Sequence, residues 1–256
     1  MLVASWNVNS IRAREERLLR WLDARKPDVV CLQELKVEDQ DFPFEAVEAA
    51  GYRAAVWGQR TYNGVAILAK TEPALVKKGI DDEVDDLQAR LITARVGGLR
   101  VVNVYAPNGA EVGTDKWAYK LEWMKRLRAH LDRRFDPREP LVLCGDFNVA
   151  PEARDVHDPR AWEPSVLFHR DARAALQQVV AFGLQDTLRL HTQEAGLYSW
   201  WDYRMLAFPK NRGLRIDLIL ATGPVATSCT AASIDRNERK GKQPSDHAPV
   251  LAEFRL

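Results

Sequence analysis

The pattern of apolar residues predicts an α/β fold in which strands and helices are mixed along one domain. Short apolar runs typical of buried strands recur between amphipathic helical stretches, and several runs are joined by tight glycine-containing turns. Too many of these connections are hairpins for a purely parallel sheet. The chain has 256 residues, 46% of them hydrophobic, so residues 1–256 can bury a sizeable core and are expected to form a single domain.

The predicted strands are apolar runs that end at turns or polar residues. Leu91–Val96 and Leu99–Ala106 flank Gly97-Gly98 and therefore predict a hairpin, and the turn at Asn63-Gly64 precedes Val65–Ala69. In chain order, the strand-like runs are Leu2–Val8, Val29–Gln33, Tyr52–Trp57, Val65–Ala69, Leu91–Val96, Leu99–Ala106, Leu141–Cys144, the aromatic cluster Tyr198–Tyr203, Leu214–Ala221 and Ala248–Phe254.

Three amphipathic stretches are predicted to be helices. Ile11–Arg25 must end before Pro27, because a residue that precedes proline avoids the helical conformation. Trp117–Phe135 carries leucine and methionine at helical spacing on one stripe, and Asp171–Phe182 is the third helix. The stretch Ala150–Arg170 contains three prolines and no sustained apolar period, so we expect a long loop of the kind that is often functional.

Charge, cysteine usage and hydropathy limit the class of protein. Thirty-seven Lys and Arg against 36 Asp and Glu give a net charge of +1, so any nucleic-acid binding must come from a local patch. Cys31, Cys144 and Cys229 are odd in number and far apart, which favours free thiols in a reducing compartment. No stretch approaches the ~18 consecutive apolar residues of a membrane span, and no basic leader precedes the first strand. We therefore expect a cytoplasmic protein that does not enter a membrane.

Short polar segments are attached to strand-like runs from one end of the chain to the other. They are SWNVN, LQE, VYAPNG, GDFN, RIDLIL and SDHAP, which begin at Ser5, Leu32, Val104, Gly145, Arg215 and Ser245. Carboxylates and amides at strand ends, gathered from distant parts of a chain, can build a phosphoesterase site for a hard metal ion on an α/β scaffold.

Each carboxylate in these segments also has a plain structural explanation. Glu34 follows a buried run, where its charge needs compensation from a cation such as Mg²⁺, from a salt bridge or from a helix cap. Asp146 and Asn148 can face one site in an extended chain, but an Asx turn explains them equally well. Asp217 lies inside an apolar run, where it is either hydrogen-bonded structure or the partner of a histidine.

His247 is the best candidate for chemistry among the five histidines, although a single histidine is more often a surface or satisfied core residue. Carboxylates are available beside it at Asp246 and farther away at Asp217. A Ser-His-Asp hydrolase is disfavoured, because the chain has no G-x-S-x-G elbow and Ser245 is a sequence neighbour of Asp246 and His247.

Four further residues are uninformative alone. Asn7 and Tyr105 lie near strand ends and gain weight only through their joint occurrence with the other segments. Trp200 and Trp201 are neighbours in an extended run and point to opposite faces, so one can pack in the core while the other meets a substrate. The alternative is that both are core aromatic residues.

Nine segments, spread in order over essentially the whole chain, can be compared with known families. They are SWNVNSIRAR, PDVVCLQELKV, NGVAIL, ARLITA, VYAPNG, GDFNVAP, YSWWDYR, NRGLRIDLIL and PSDHAPV. Together they resemble the exonuclease III family of apurinic/apyrimidinic (AP) endonucleases, within the endonuclease/exonuclease/phosphatase superfamily. The resemblance implies a four-layered α/β sandwich, in which two mostly antiparallel sheets pack face to face and helices flank them.

The resemblance also implies a metal site. Glu34 would be the principal Mg²⁺ ligand, with Mn²⁺ as a substitute. Asn7, Asp217 and Asp246 would lie near the metal or be linked to it through water. Asn9 stands where some relatives carry an aspartate close to the metal, so a carboxylate contribution at that position is in doubt.

The remaining catalytic roles follow from the same resemblance. Asp146 would orient or deprotonate the attacking water, and Asn148 would help to position it. His247, oriented by Asp217, would hydrogen-bond the scissile phosphate, and Tyr105 would assist there or near the leaving group.

Substrate contacts are implied on both sides of this centre. Trp200, Leu214 and Ile216 would line an apolar pocket for a flipped-out, base-free deoxyribose. Cationic and polar side chains would contact phosphates, with a solvated charged surface as the alternative. These candidates are Arg90, Asn108, Lys116, Arg204, Lys210 and Arg212.

One loop departs from the pattern of eukaryotic-type relatives. The segment Asp155–Trp162 reads DVHDPRAW in place of an asparagine-containing loop, and whether His157 and Asp158 reach the substrate is open. This loop could alter the balance between abasic-site cleavage and 3′-end processing.

The sequence therefore predicts a Mg²⁺-dependent DNA phosphodiesterase of base excision repair. By the resemblance, it would cleave double-stranded DNA 5′ to abasic sites and act on 3′ ends as a 3′→5′ exonuclease and a 3′-phosphatase or 3′-phosphodiesterase, as a monomer. A phosphoinositide or sphingolipid phosphatase on the same scaffold is disfavoured by the match through YSWWDYR and NRGLRIDLIL. A catalytically idle DNA-binding module is disfavoured by the intact set of candidate catalytic residues.

Overall fold

Two six-stranded sheets flanked by helices make up the computed structural model, which describes residues 1–84 and 86–256. The strands are β1 (Leu2–Asn7), β2 (Val29–Gln33), β3 (Arg53–Trp57), β4 (Val65–Ala69), β5 (Ala74–Lys78), β6 (Leu91–Val96), β7 (Leu99–Tyr105), β8 (Leu141–Asp146), β9 (Leu184–Asp186), β10 (Asp217–Thr222), β11 (Cys229–Ile234) and β12 (Val250–Phe254). The α-helices are α1 (Ile11–Arg25), α2 (Phe44–Ala49), α3 (Asp115–Arg134), α4 (Pro159–Trp162), α5 (Arg170–Val180), α6 (Thr187–His191) and α7 (Gly223–Ala226).

Each sheet has one parallel pair of strands at its centre and antiparallel pairs on either side. The first sheet has the order β11-β12-β1-β2-β4-β3 with β1 and β2 parallel, and the second has the order β5-β6-β7-β8-β10-β9 with β7 and β8 parallel. Parallel neighbours need a crossover, which α1 supplies between β1 and β2 and α3 supplies between β7 and β8. The mostly antiparallel α/β sandwich that the resemblance implied is confirmed.

The two crossover helices begin and end where local sequence favours it. Ser10 caps α1 by accepting a hydrogen bond from the Ala13 amide, and the helix ends at Lys26 in the left-handed conformation. Thr114 caps α3 by accepting a hydrogen bond from the Trp117 amide. Each helix runs antiparallel to the strand before it. The next strand therefore starts at the same edge of the sheet as the previous one and pairs with it in parallel.

Apolar side chains fill three layers between the elements. Cys31 from the first sheet and Val142 from the second lie in the core between the sheets. Trp21 of α1 packs on the outer face of the first sheet, and Leu127 of α3 packs on the outer face of the second. Burial of one large apolar side chain contributes about 1.5–3 kcal/mol to the free energy of folding. The packing of many such side chains therefore stabilises the sheets in this arrangement.

The structure differs from the sequence-based expectation in its irregular segments. The prediction of a strand-like run at Tyr198–Tyr203 was wrong, because only isolated bridges join Trp200 to Leu214 and to His247. The predicted long loop Ala150–Arg170 contains the short helix α4 and a 3₁₀ turn at Ala153–Asp155.

Three strands have no counterpart in the apolar pattern. Strands β5 and β11 are edge strands without a buried residue, and β9 is an edge strand of three residues. An edge strand with one or both faces exposed needs no apolar run, which is why these strands left no signal in the sequence.

All three cysteines are free, as the sequence predicted. Cys31 and Cys144 are buried, and Cys229 is half-buried. Among the helices that the structure describes, none combines the length and the apolar character needed to cross a bilayer.

Gly145 is a position at which the fold tolerates no side chain. Its φ is +146°, and an added Cβ would lie 1.9 Å from the Val104 carbonyl oxygen on the neighbouring strand. We therefore expect Gly145→Ala to cost about 3 kcal/mol or more of unfolding free energy in chemical denaturation. Gly98→Ala is the matched control, because its added Cβ meets open space. Equal denaturation midpoints for the two variants would contradict this account of the β7–β8 contact.

Candidate active site

The carboxyl ends of the two central strand pairs meet at one edge of the sandwich. Asn7 ends β1 and Glu34 follows β2, whereas Tyr105 ends β7 and Asp146 ends β8. Asp217 begins the antiparallel strand β10 directly opposite Asp146. The strand order therefore explains why polar residues from distant parts of the chain converge here.

The Asn7 side chain joins the two sheets at this edge. Its Nδ2 donates hydrogen bonds to Glu34 Oε1 at 2.7 Å and to Asp146 Oδ2 at 3.0 Å. Its Oδ1 accepts the Asn9 backbone N–H at 2.9 Å, which fixes the orientation of the amide. One buried side chain therefore holds two carboxylates, one from each sheet, on the same donor group.

His247 lies between two buried aspartates. Its Nδ1 is 2.9 Å from Asp217 Oδ2, and its Nε2 is 3.7 Å from Asp146 Oδ2. Burial alone would lower the pKa of His247, but the negative charges of Asp217 and Asp146 outweigh it and raise the pKa to about 10. At neutral pH the ring is therefore an imidazolium that donates to Asp217 and offers a second N–H to the site.

Asp146 is the most strongly perturbed carboxyl in the site. Burial raises its pKa to about 7, and the charge of Asp217 adds to this effect. The charge of His247 and the hydrogen bonds from Asn7 and from the Asn148 amide act in the opposite direction. A carboxyl that titrates near neutral pH can exchange a proton with water under physiological conditions.

Asn148 adopts the left-handed conformation, with φ at +50°. Its backbone N–H donates to Asp146 Oδ1 at 2.8 Å, which is the Asx-turn contact. Its Nδ2 donates to the Ala106 carbonyl at 2.9 Å, and its Oδ1 accepts from Asn108 Nδ2 at 3.2 Å. The turn thus places Asn148 beside Asp146, and Asn108 is joined to this arrangement through Asn148.

Tyr105 and Arg90 stack beside Glu34. Burial raises the pKa of Tyr105 well above its ordinary value, and the charges of Glu34 and Asp146 raise it further. The Arg90 guanidinium lies 4.9 Å from the ring centroid and donates to the Tyr105 carbonyl at 3.2 Å. The phenol therefore stays neutral and can act as a hydrogen-bond donor next to a fixed cation.

Both oxygens of Asp246 already accept hydrogen bonds from the protein. Asn9 Nδ2 donates to Oδ1 at 2.9 Å, and Trp200 Nε1 donates to Oδ2 at 3.0 Å. Burial alone would raise the pKa of Asp246, but the charge of His247 and these two donors outweigh it and hold the pKa below its ordinary value. The carboxylate is therefore tied to the Trp200 side of the site.

Lys36 is a functional candidate that sequence reasoning missed. Its Nζ lies 2.9 Å from Glu34 Oε2 and donates to Asn9 Oδ1 at 2.6 Å. Glu34 and Lys36 both have positive φ, at +53° and +57°, which makes this segment an irregular turn after β2. The only signal was a lysine two residues after a candidate carboxylate, a pattern that is equally common on exposed surfaces.

The centre of the site has donor groups that fit a hard cation. One donor atom each from Glu34, Asp146 and His247 lies within 4.8 Å of the others. Because His247 is protonated at neutral pH, the carboxylate oxygens are the groups available as ligands. Asp217 Oδ1 is buried and has no hydrogen-bond partner in the described part of the chain. Carboxylate oxygens gathered at one point are the type of donor that Mg²⁺ prefers.

The residues expected to form a sugar pocket differ in exposure. Trp201 is fully buried and belongs to the core. Trp200 is half-buried and packs edge-on against Trp162, with the ring centroids 6.1 Å apart. Leu214 and Ile216 have exposed fractions of 0% and 1%. Only Trp200 of the three offers surface to a substrate in this conformation, so the pocket stays a prediction.

Two clefts contain most of the expected phosphate contacts. The first has a volume of about 500 Å³. Glu34 and Tyr105 of the site form part of its lining, together with Arg90, Asn108 and Lys116. The structure thus brings these three candidates together next to the carboxylates. The second cleft, with a volume of about 650 Å³, is lined by residues of the DVHDPRAW loop and by Lys210 and Arg212.

Arg204 belongs to neither of these two groups of lining residues. It is exposed and forms an ion pair with Asp202 at 2.9 Å. Contact of Arg204 with a substrate therefore stays a prediction.

Known proteins are similar to this chain in sequence and in fold. Residues 4–247 match the Endonuclease/Exonuclease/phosphatase family. An exodeoxyribonuclease III from Haemophilus influenzae is 35% identical over 267 residues, which cover 100% of both chains. The structure of an AP endonuclease from Archaeoglobus fulgidus superposes with a TM-score of 0.97 at 41% identity, with both chains covered completely. That of the 3′ phosphatase NExo from Neisseria, bound to a product DNA hairpin, superposes with a TM-score of 0.96 at 38% identity, again with complete coverage. These similarities confirm the resemblance drawn from the sequence.

The charge state of His247 gives a direct test of the site electrostatics. In metal-free protein with EDTA, the ring should remain an imidazolium at pH 8 and titrate near 10, as followed by NMR of a ¹³C,¹⁵N-histidine-labelled sample. Asp217→Asn should lower this pKa, because it removes the charge bonded to Nδ1. Titration of His247 below pH 7 in the wild-type protein would contradict this account.

The same shift makes stability depend on pH. A histidine whose pKa rises from 6.5 to about 10 on folding contributes stability that is complete below 6.5 and is lost as the pH rises through 10. His247→Gln should remove this component of the pH dependence in denaturation experiments between pH 7 and 10.

Proposed function

The chain belongs to the endonuclease/exonuclease/phosphatase family, and we propose that it is a Mg²⁺-dependent DNA phosphodiesterase of base excision repair. It incises double-stranded DNA 5′ to abasic sites and trims 3′ ends as a 3′→5′ exonuclease and a 3′-phosphatase or 3′-phosphodiesterase. The observation that carries this proposal is the cluster of Glu34, Asp146 and His247 at the edge where the two sheets meet. Hydrolysis of a phosphodiester needs charge neutralisation, an activated water and a proton donor in one place.

The buried groups fit separate parts of this reaction. Asp146, whose pKa is about 7, accepts the proton of the attacking water, and Asn148 positions that water. His247, held by Asp217, donates a hydrogen bond to a non-bridging oxygen of the scissile phosphate. Tyr105 remains neutral and assists at the phosphate or at the leaving oxygen.

The cation is assigned to the carboxylate side of the cluster. Glu34 would be the principal ligand, Asn7 would support it through the hydrogen bond to Glu34 Oε1, and Asp246 would be linked to the cation through water. When bound there, Mg²⁺ or Mn²⁺ would supply positive charge that neutralises the phosphate and stabilises negative charge on the leaving oxygen.

DNA is proposed to lie across both clefts. Arg90 and Lys116 contact phosphates in the cleft next to Glu34, and Lys210 and Arg212 do so in the second cleft. Trp200 packs against the base-free sugar, which has no base to obstruct its entry.

The remaining assignments concern the protein as a whole. We propose that residues 1–256 form one catalytic domain that acts as a monomer in the cytoplasm. Apolar contacts between the two sheets join residues from both halves of the chain, which supports a single domain. The three free thiols support a reducing compartment.

The test of this proposal is cleavage of a labelled duplex that carries one abasic-site analogue, compared with an undamaged duplex with a recessed 3′ end. With Mg²⁺ we expect incision 5′ to the lesion, and with EDTA we expect none. Digestion of the 3′ end alone would identify a 3′-processing enzyme and direct attention to the Asp155–Trp162 loop. Hydrolysis of a phosphatidylinositol phosphate without cleavage of either DNA would refute the DNA-repair assignment.

Two substitutions should separate metal-dependent turnover from DNA binding. Glu34→Ala should abolish most metal-dependent turnover while leaving DNA affinity within a few-fold. His247→Asn should lower kcat by about two or more orders of magnitude, because the imidazolium is lost while the fold is kept. Wild-type kcat in either variant, measured on the abasic duplex, would remove that residue from the mechanism.

A further inference from the structure

Lys120 is a fully buried lysine on α3 that none of the roles above uses. Its side chain has an exposed fraction of 0%. The ammonium donates to the backbone carbonyls of Asn108 at 3.0 Å, Asn148 at 2.6 Å and Val166 at 2.7 Å. Burial lowers the pKa of Lys120 to about 7, and the charge of Asp146 acts in the opposite direction. The three carbonyls can accept all three protons of the ammonium, which offsets part of the cost of burying the charged form.

The three acceptors belong to three separate segments that surround the site. Asn108 lies in the loop after β7, Asn148 lies in the turn after β8, and Val166 lies near the end of the loop that contains α4. One side chain therefore sets the distances between segments that are far apart in the sequence.

The contact with Asn148 bears on a strained turn. Asn148 has a φ of +50°, a conformation that a non-glycine residue holds only when its surroundings favour it. Its carbonyl accepts the shortest of the three Lys120 bonds, while its side chain bonds Ala106 and Asn108. The Lys120 ammonium thus holds the Asn148 carbonyl, while the Asn148 backbone N–H remains bonded to Asp146.

The packing around Lys120 leaves it little freedom. An added Cβ on Gly109 would lie 2.9 Å from Lys120 Cδ and 3.4 Å from the Trp117 ring, so the loop after β7 is in direct contact with the lysine stem. Gly109 has a φ of +93°, which also favours glycine. A shift of the Lys120 side chain would therefore require a shift of the loop after β7 as well.

We propose that Lys120 is a positioning residue for phosphodiester hydrolysis, because its ammonium ties three loops together and so holds Asn148 in place beside Asp146, together with Asn108, which bonds Asn148. It touches neither the substrate nor a metal ion. The three hydrogen bonds from Lys120, which we call the clamp, are a property of the free protein. The inference therefore rests on the proposed function only for its kinetic consequence.

Lys120→Met removes the ammonium but keeps a stem of similar length, and Lys125→Met is the matched control. Lys125 is on the same helix with a side chain that is 79% exposed, and its only ion pair is the one with Glu122 at 3.6 Å within the described chain. On the abasic duplex, Lys120→Met should lower kcat by about tenfold to a hundredfold with little change in KM, as expected for a misplaced catalytic group. Lys125→Met should match the wild-type protein.

A double-mutant cycle distinguishes positioning from general stabilisation. If Lys120 acts through Asn148, Lys120→Met should lower kcat by no more than about threefold in an Asn148→Ala background. If the same large loss recurs in that background, Lys120 does not act through Asn148 and the proposal is wrong. Unchanged kcat in the folded Lys120→Met protein would overturn it as well.

Hydrogen exchange gives a readout that does not depend on activity. Backbone amides at 146–149 should exchange at least about tenfold faster in Lys120→Met than in Lys125→Met, while amides in the centre of β1 remain protected. Should Lys120→Met fail to fold, Lys120→Gln, which keeps an NH₂ donor, serves for the same comparison and should show a smaller change in the same direction. Unchanged exchange at 146–149 refutes the clamp, whereas failure of the wild-type protein to incise DNA refutes the proposed function instead.

Discussion

The site depends on the shared hydrogen-bond donor that Asn7 provides between the two sheets. Glu34 and Asp146 come from different sheets, and their oxygens lie within 4.8 Å of one another in the cluster with His247. Two like charges at that distance repel by about 3–4 kcal/mol at an effective dielectric constant of ~20. The Asn7 amide, bonded to both carboxylates, offsets part of this repulsion and fixes where the edges of the sheets meet.

The surrounding charges follow from this concentration of carboxylates. Lys36 lies against Glu34, and the imidazolium of His247 lies between Asp217 and Asp146. Each buried negative charge therefore has a cation or an N–H donor beside it, which keeps the fold stable before any ligand binds. Burial and the charge of Asp217 raise the pKa of Asp146 to about 7 against the opposing effect of His247 and Asn7, so the carboxyl is ready for proton transfer although its charge is partly compensated.

Much of the fold and the centre of the site could be predicted from the sequence, because charged residues inside apolar runs are rare and expensive. Glu34 and Asp217 stood out for that reason. The edge strands β5 and β11 could not be predicted, since their exposed faces need no apolar pattern. Lys120 was equally hidden, because a lysine in a long amphipathic helix usually faces solvent and only the packing of three loops over α3 buries it. The contact of Asn7 with both carboxylates depends on how two sheets pack, which no local pattern encodes.

The central claim, that a cross-sheet amide holds Glu34 in position for a cation next to Asp146, is tested most directly by calorimetric titration of Mn²⁺ into the DNA-free protein. Asn7→Leu removes the donor at nearly constant volume. The account predicts that the wild-type protein binds the ion and that this variant binds it about 10–100-fold more weakly, the range typical for loss of a residue that orients metal ligands. Equal affinities in the two proteins, with both folded, would contradict the claim.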